Sequence, residues 1–82
     1  MEEFITLNDI SPGESAIVLK SELEGNIQRR LLDLGLIENT LVECVGKSPS
    51  GDPKAYLIRG AVIAIRSEDS KKIIVTTFSK EG

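Results

Sequence analysis

The side chains in this chain that could do chemistry are carboxylates, lysines, arginines, serines and one thiol; histidine is absent. A general base would therefore have to be a carboxylate, Lys71, Lys72 or Cys44. The acids are scattered, and the nearest groupings (Glu2-Glu3, Glu22 with Glu24, Glu68-Asp69) fall where termini, turns and helix caps are expected. The serines stand in turn and cap contexts without a candidate catalytic partner. Catalysis is not predicted. A lone thiol between Glu43 and Val45 reads as a small buried hydrophobe. One cysteine without histidine makes none of the usual structural zinc sites. Asp52 alone falls short of the six to eight oxygens that calcium wants. Its expected role is an Asx-type turn to its own loop's amides. The loop also lacks the glycine pattern and lysine of a phosphate cradle. No metal site and no cofactor are expected.

What remains is chemistry of recognition. Arg29-Arg30-Leu31-Leu32-Asp33-Leu34-Gly35-Leu36 reads as an amphipathic helix that stops on a glycine. At about 100° per residue, Ile27, Leu31 and Leu34 share one stripe, which is the core face. Arg30 lies beside that stripe, so its stem can pack while its head pairs with an acid. Arg29 faces away, four residues before Asp33, and such a pair contributes only a few tenths of a kcal/mol. Leu32 falls about 140° from Ile27 and needs a second surface to cover it. Either the helix is buried on a wide face, or Leu32 is an exposed anchor for a partner. Arg29 and Leu32 form the first candidate partner surface. Ser50, Gly51 and Asp52, in the rigid loop Pro49-Ser50-Gly51-Asp52-Pro53, form the second.

The elements that must position these residues are short. Thr6 with Asp9 three residues on predicts a capped single turn. Ser11-Pro12-Gly13 is a turn in which Pro12 sets φ and Gly13 can take a positive one. Residues 15–20 read as a strand, and Asn26 as the N-cap of the helix. Residues 40–47, 54–59, 62–66 and 73–78 are four further β-branched runs. Gly60-Ala61 would make the tight hairpin between two of them. Ser67 as a capping residue, followed by Glu68-Asp69 and then Lys71-Lys72, predicts a one-turn helix. Residues 79–82 should fray. The whole is expected to be a single domain over residues 1–82. Its fold class is mainly β, a small, partly open antiparallel barrel of about five strands, with one short helix and one or two helical turns.

A net charge of −3 argues against nucleic acid, because phosphate binding needs a basic stripe. Met-Glu-Glu-Phe lacks the features of a secretory signal, and no apolar run approaches a membrane span. A cytoplasmic protein without direct membrane insertion is expected.

Pro12-Gly13, the segment Arg30-Leu31-Leu32-Asp33-Leu34-Gly35-Leu36, Pro49-Ser50-Gly51-Asp52-Pro53, Arg59-Gly60 and Ile63-Ala64-Ile65-Arg66 form an ordered set. In that order and spacing the chain resembles the ferrous iron transport protein A (FeoA-like) family, over about residues 7–75. The resemblance implies an SH3-like barrel. It also implies an accessory or adaptor protein of bacterial ferrous iron uptake, whose partner is the membrane permease with a cytoplasmic GTP-binding domain. A similar module ends metal-dependent repressors, but no helix-turn-helix segment stands in front of it here. The family commonly has Pro-Gly before the strand after the helix, where this chain has Glu38-Asn39. Asn is the next best residue for a left-handed turn, so the turn should survive. Two other functions compete with the adaptor. One is a small metal- or ligand-responsive regulatory module; the other is a module that self-associates through an edge strand.

Overall fold

The computed structural model describes residues 4–78; the tail expected to fray lies outside them. Six antiparallel strands form one sheet in the order β1-β6-β2-β3-β4-β5. They are β1 (Ile5–Thr6), β2 (Ser15–Ser21), β3 (Leu41–Lys47), β4 (Lys54–Ile58), β5 (Ala61–Ile65) and β6 (Ile73–Phe78). Helix α1 spans Gly25–Asp33 and the single turn α2 spans Ser67–Ser70. The sheet has one strand more than expected. β1 is two residues long, too short for alternation to reveal, and exists because Ile5 and Thr6 pair with Val75 and Ile74.

The core follows the alternation of the strands. Ala16 and Val18, Val42 and Cys44, Tyr56 and Ile58, and Ile73 and Val75 all point inward and are buried. Cys44 is fully buried, as a small hydrophobe should be. Register shifts between Val18 and Lys20 and between Cys44 and Gly46 bend the sheet so that it curls around this core.

Backbone pairing leaves the barrel open between β5 and β1, and side chains of β4 cross the gap. Thr6 begins the expected turn, a 3-10 helix over Leu7–Asp9, and the Asp9 carboxylate accepts from the Thr6 amide (2.9 Å) and hydroxyl (3.1 Å). The Lys54 ammonium donates to the carbonyls of Asn8 (2.7 Å) and Ile10 (3.0 Å) at the end of that turn. The Tyr56 hydroxyl donates to the Leu7 carbonyl at 3.3 Å. Burial pushes the Tyr56 hydroxyl up to about 12, so at neutral pH it is a fixed donor and not a base.

Two local assignments move by one residue. The hairpin between β4 and β5 turns on Arg59-Gly60, because Ile58 pairs with Ala61. Both turn residues have positive φ (50° and 85°), the torsions of a two-residue turn matched to strand twist. α1 is entered from Glu24 and begins at Gly25, whose φ of 71° redirects the chain, so Asn26 lies inside the helix and is not its cap.

The loop between β3 and β4 has a role its own sequence does not announce. It is closed by Ser48 N–H to Pro53 O (3.0 Å) and Gly51 N–H to Ser48 O (2.8 Å). The Asp52 carboxylate leaves the loop and accepts from the Ser67 amide (2.9 Å) and hydroxyl (3.1 Å). It thus caps α2 from outside, in place of the expected Asx turn, while Ser67 is the first residue of the helix and not its cap. Asp52→Ala should lower stability by about 1 kcal/mol, the usual cost of losing a cap. Urea denaturation followed by circular dichroism would read it; an unchanged midpoint would mean that water replaces the carboxylate at no cost.

Candidate docking surface

The end of α1 is built by torsion and hydrogen bonds within a few residues. Leu34 is the C-cap, and Gly35 follows it with φ 105°. Gly35 N–H bonds to Leu32 O (3.0 Å) and Leu36 N–H to Leu31 O (2.9 Å), the paired bonds of a Schellman motif. Leu36 then folds into the core at 2% exposure beside Leu31, while Ile27 and Leu34 pack against the same core. The stripe expected of Ile27, Leu31 and Leu34 is therefore the buried face.

The turn into β3 is equally fixed. Asn39 takes the left-handed φ of 71° that the missing glycine would have supplied. Its amide donates to Val18 O (2.7 Å), and Val18 N–H donates to Thr40 O (2.9 Å). The buried Thr40 hydroxyl donates to Gly35 O (3.2 Å) and accepts from Ile37 N–H (3.3 Å). Helix, turn and β2 are thereby locked together around a groove of about 480 Å³, with Gln28 and Leu32 on its helix side and Ile37 and Glu38 on its turn side.

Leu32 is 47% exposed on that groove, so the second surface it needs is not supplied by the fold. Arg29 and Arg30 are both exposed. Neither makes the structural pair expected for it: among the described residues the ion pair formed is Lys20 with Glu22, at 3.5 Å. Arg29 and Asp33 stand in the less favourable order for an i,i+4 pair, and a solvated pair gains too little to hold two long side chains. Sequence reasoning missed Ile37, 45% exposed beside Leu32. The signal was the run Leu36-Ile37: with Leu36 folded inward, its neighbour in the turn faces out.

The structure does not bring the two candidate partner surfaces together. Leu32 lines the α1 groove and Arg29 is exposed on the same helix, near the start of β3, whereas Ser50, Gly51 and Asp52 follow its far end. The length of β3 separates them, about 20 Å for a strand of this size. Gly51 holds φ 92° and the Ser50 hydroxyl donates to Asp52 O (3.1 Å), so this loop is shaped chiefly by bonds to itself and to α2. Pro12-Gly13 forms the expected turn before β2, with Gly13 at φ 95° and Glu14 N–H bonded to Ser11 O (2.9 Å).

Among the described residues no group of three or more cysteine, aspartate or glutamate side chains converges as a metal site would require. No helix among them is long and apolar enough to cross a membrane. What the α1 groove can do chemically is accept an apolar side chain against Leu32 and Ile37, with charged and amide groups on its rim.

Comparison with known proteins agrees with this architecture. The FeoA domain matches the chain over residues 5–77. A curated relative from Porphyromonas gingivalis, a Fe(2+) transport protein A/Fe(2+) transporter FeoB fusion protein, is 29% identical over 76 residues. That match takes in 93% of this chain, which spans 9% of the fusion protein's length. The solution structure of FeoA from Chlorobium tepidum superposes with a TM-score of 0.87 at 26% identity, over 95% of this chain and 74% of that one. The zinc complex of Stenotrophomonas maltophilia FeoA, described as a procaryotic SH3 domain protein, gives 0.75 at 31% identity, over 87% and 88% of the two chains. The barrel is thus SH3-like, and the chain belongs to the FeoA family of ferrous iron transport.

Proposed function

We propose that this protein is a cytoplasmic, non-enzymatic accessory of ferrous iron uptake, which docks on the cytoplasmic part of an iron permease that carries a GTP-binding domain. The observation that carries the reading is the relative in which a transport protein A unit and the FeoB transporter share one polypeptide. Covalent linkage holds two modules at an effective concentration near millimolar, so contact between them needs little affinity of its own. Modules that are not so linked dock through anchors. Leu32 and Ile37, exposed on a groove whose walls are hydrogen-bonded in place, are anchors of the right kind. Regulation then follows from differential contact: the accessory favours whichever transporter state it binds more tightly.

The direct test is retention of the detergent-solubilised permease on the tagged protein at physiological salt. The permease should be recovered from membranes of the source cell and should elute with excess untagged protein. Failure to recover it, with a tagged protein that melts normally, overturns the reading.

A further inference from the structure

The β5 edge of the sheet carries a second surface. Among the described residues β5 is hydrogen-bonded to β4 alone. Because Ile58 and Ala61 close a two-residue hairpin, Ala61, Ile63 and Ile65 turn their amides and carbonyls toward β4. Val62 and Ala64, opposite Leu57 and Ala55, turn theirs to the open side. Their side chains project away from the core, Val62 at 65% exposure. Exposed Leu41 and Val45 of β3 extend the same outer face.

Edge strands are normally guarded by brevity, a charge, a proline or a bulge. The opposite edge, β1, is two residues long. β5 has no such guard. Ala-Val-Ile-Ala-Ile carries neither charge nor proline, and its register with β4 is unbroken. Charge stands only at its two ends, where Arg59 and Arg66 are exposed and form no ion pair among the described residues.

We propose that the β5 edge receives an extended apolar segment of a partner protein, with an acidic residue at each end, as a seventh strand. The backbone of Val62 and Ala64 supplies the hydrogen bonds, and Arg59 and Arg66 meet the two carboxylates. A second copy of this chain is the poorer occupant. Antiparallel self-pairing centred on Ile63 makes the most backbone bonds, roughly four, but sets Arg66 of each copy beside the Arg59-Gly60 turn of the other. Parallel in-register pairing sets Arg66 against Arg66. Like charges are juxtaposed in both arrangements, and an acid-ended strand turns the same charges into attraction. The inference does not depend on the permease being the partner at the α1 groove.

The probe is a short synthetic peptide of alternating valine and threonine with aspartate at both ends, titrated into the isotope-labelled protein. Saturable shifts should centre on the Val62 and Ala64 amides, with exchange at those amides slowed about tenfold or more. Val62→Pro removes one outward amide and none of the bonds to β4, so it should weaken binding at least about tenfold at an unchanged melting temperature. Arg66→Glu provides a second reading should the proline variant not fold: it should disfavour the peptide with aspartate at both ends and favour one with aspartate at one end and lysine at the other. No saturation at millimolar peptide, or equal binding of both peptides to the unmodified protein, overturns the proposal. Concentration-dependent dimerisation that Val62→Pro abolishes also overturns it, by assigning the edge to a second copy.

Discussion

Leu32→Ser should abolish retention of the permease while leaving the melting temperature almost unchanged. Leu32 is already 47% exposed, so the fold gains little from its burial and loses little with its removal. Binding is a different matter. A domain of this size offers about 800 Å² to one partner, and within such a patch a few anchors carry most of the energy. Loss of an aliphatic anchor from a groove should cost about 2 kcal/mol or more of binding, or roughly 30-fold in affinity. Arg29→Glu should act in the same direction, because it reverses an exposed charge one helical turn from Leu32 without breaking any ion pair among the described residues. The two measurements are a thermal melt and the pull-down. If Leu32→Ser unfolds the protein, that side chain is core and this helix face is not the docking site. If both variants fold and still retain the permease, the partner reads another surface, and Ser50 and Gly51 become the next positions to change. Asp52 is a poorer probe of binding, since removing its carboxylate also uncaps α2.

Gly35→Val should shift the urea midpoint far more than any exposed substitution on α1. Gly35 stands at φ 105°, where an L residue is strained, and forcing one into a left-handed conformation costs on the order of 1–2 kcal/mol. A second cost comes from the β4–β5 turn. A Cβ at this position would lie 2.6 Å from Cδ of Arg59, whose side chain crosses the glycine. The arginine chain is flexible and can swing aside, but its own backbone is held at φ 50° by the hairpin. The expected loss is about 2 kcal/mol or more, a large part of the roughly 4–12 kcal/mol available to a domain of this length. Arg59→Ala introduced alongside should recover only the steric part and leave the torsional strain. An unchanged midpoint for the single variant would show that the helix does not end on a left-handed residue.

The sequence by itself determined whatever depends on a few neighbouring residues. Alternation of β-branched residues located five of the six strands, and the 3.6-residue period identified Ile27, Leu31 and Leu34 as the core stripe. Torsional preference marked Pro12-Gly13, Gly35 and Gly60 as turn residues and allowed Asn39 to replace a glycine. Thr6 and Asp9 formed their turn because both partners lie three residues apart. The ordered motifs carried the family, because the same local constraints recur wherever this barrel is built. Tertiary structure decided everything whose partner is distant. β1 exists only through β6, and Asp52 finds its hydrogen bonds at Ser67, fifteen residues on. Arg59 lies over Gly35, and the two candidate partner surfaces stand at opposite ends of β3. Whether Leu32 was wide-face core or exposed anchor was likewise undecidable from the helical wheel. The wheel fixes a side chain's direction around its own axis, but burial depends on whether another part of the folded chain arrives on that side. None of the described residues does, and Leu32 remains open.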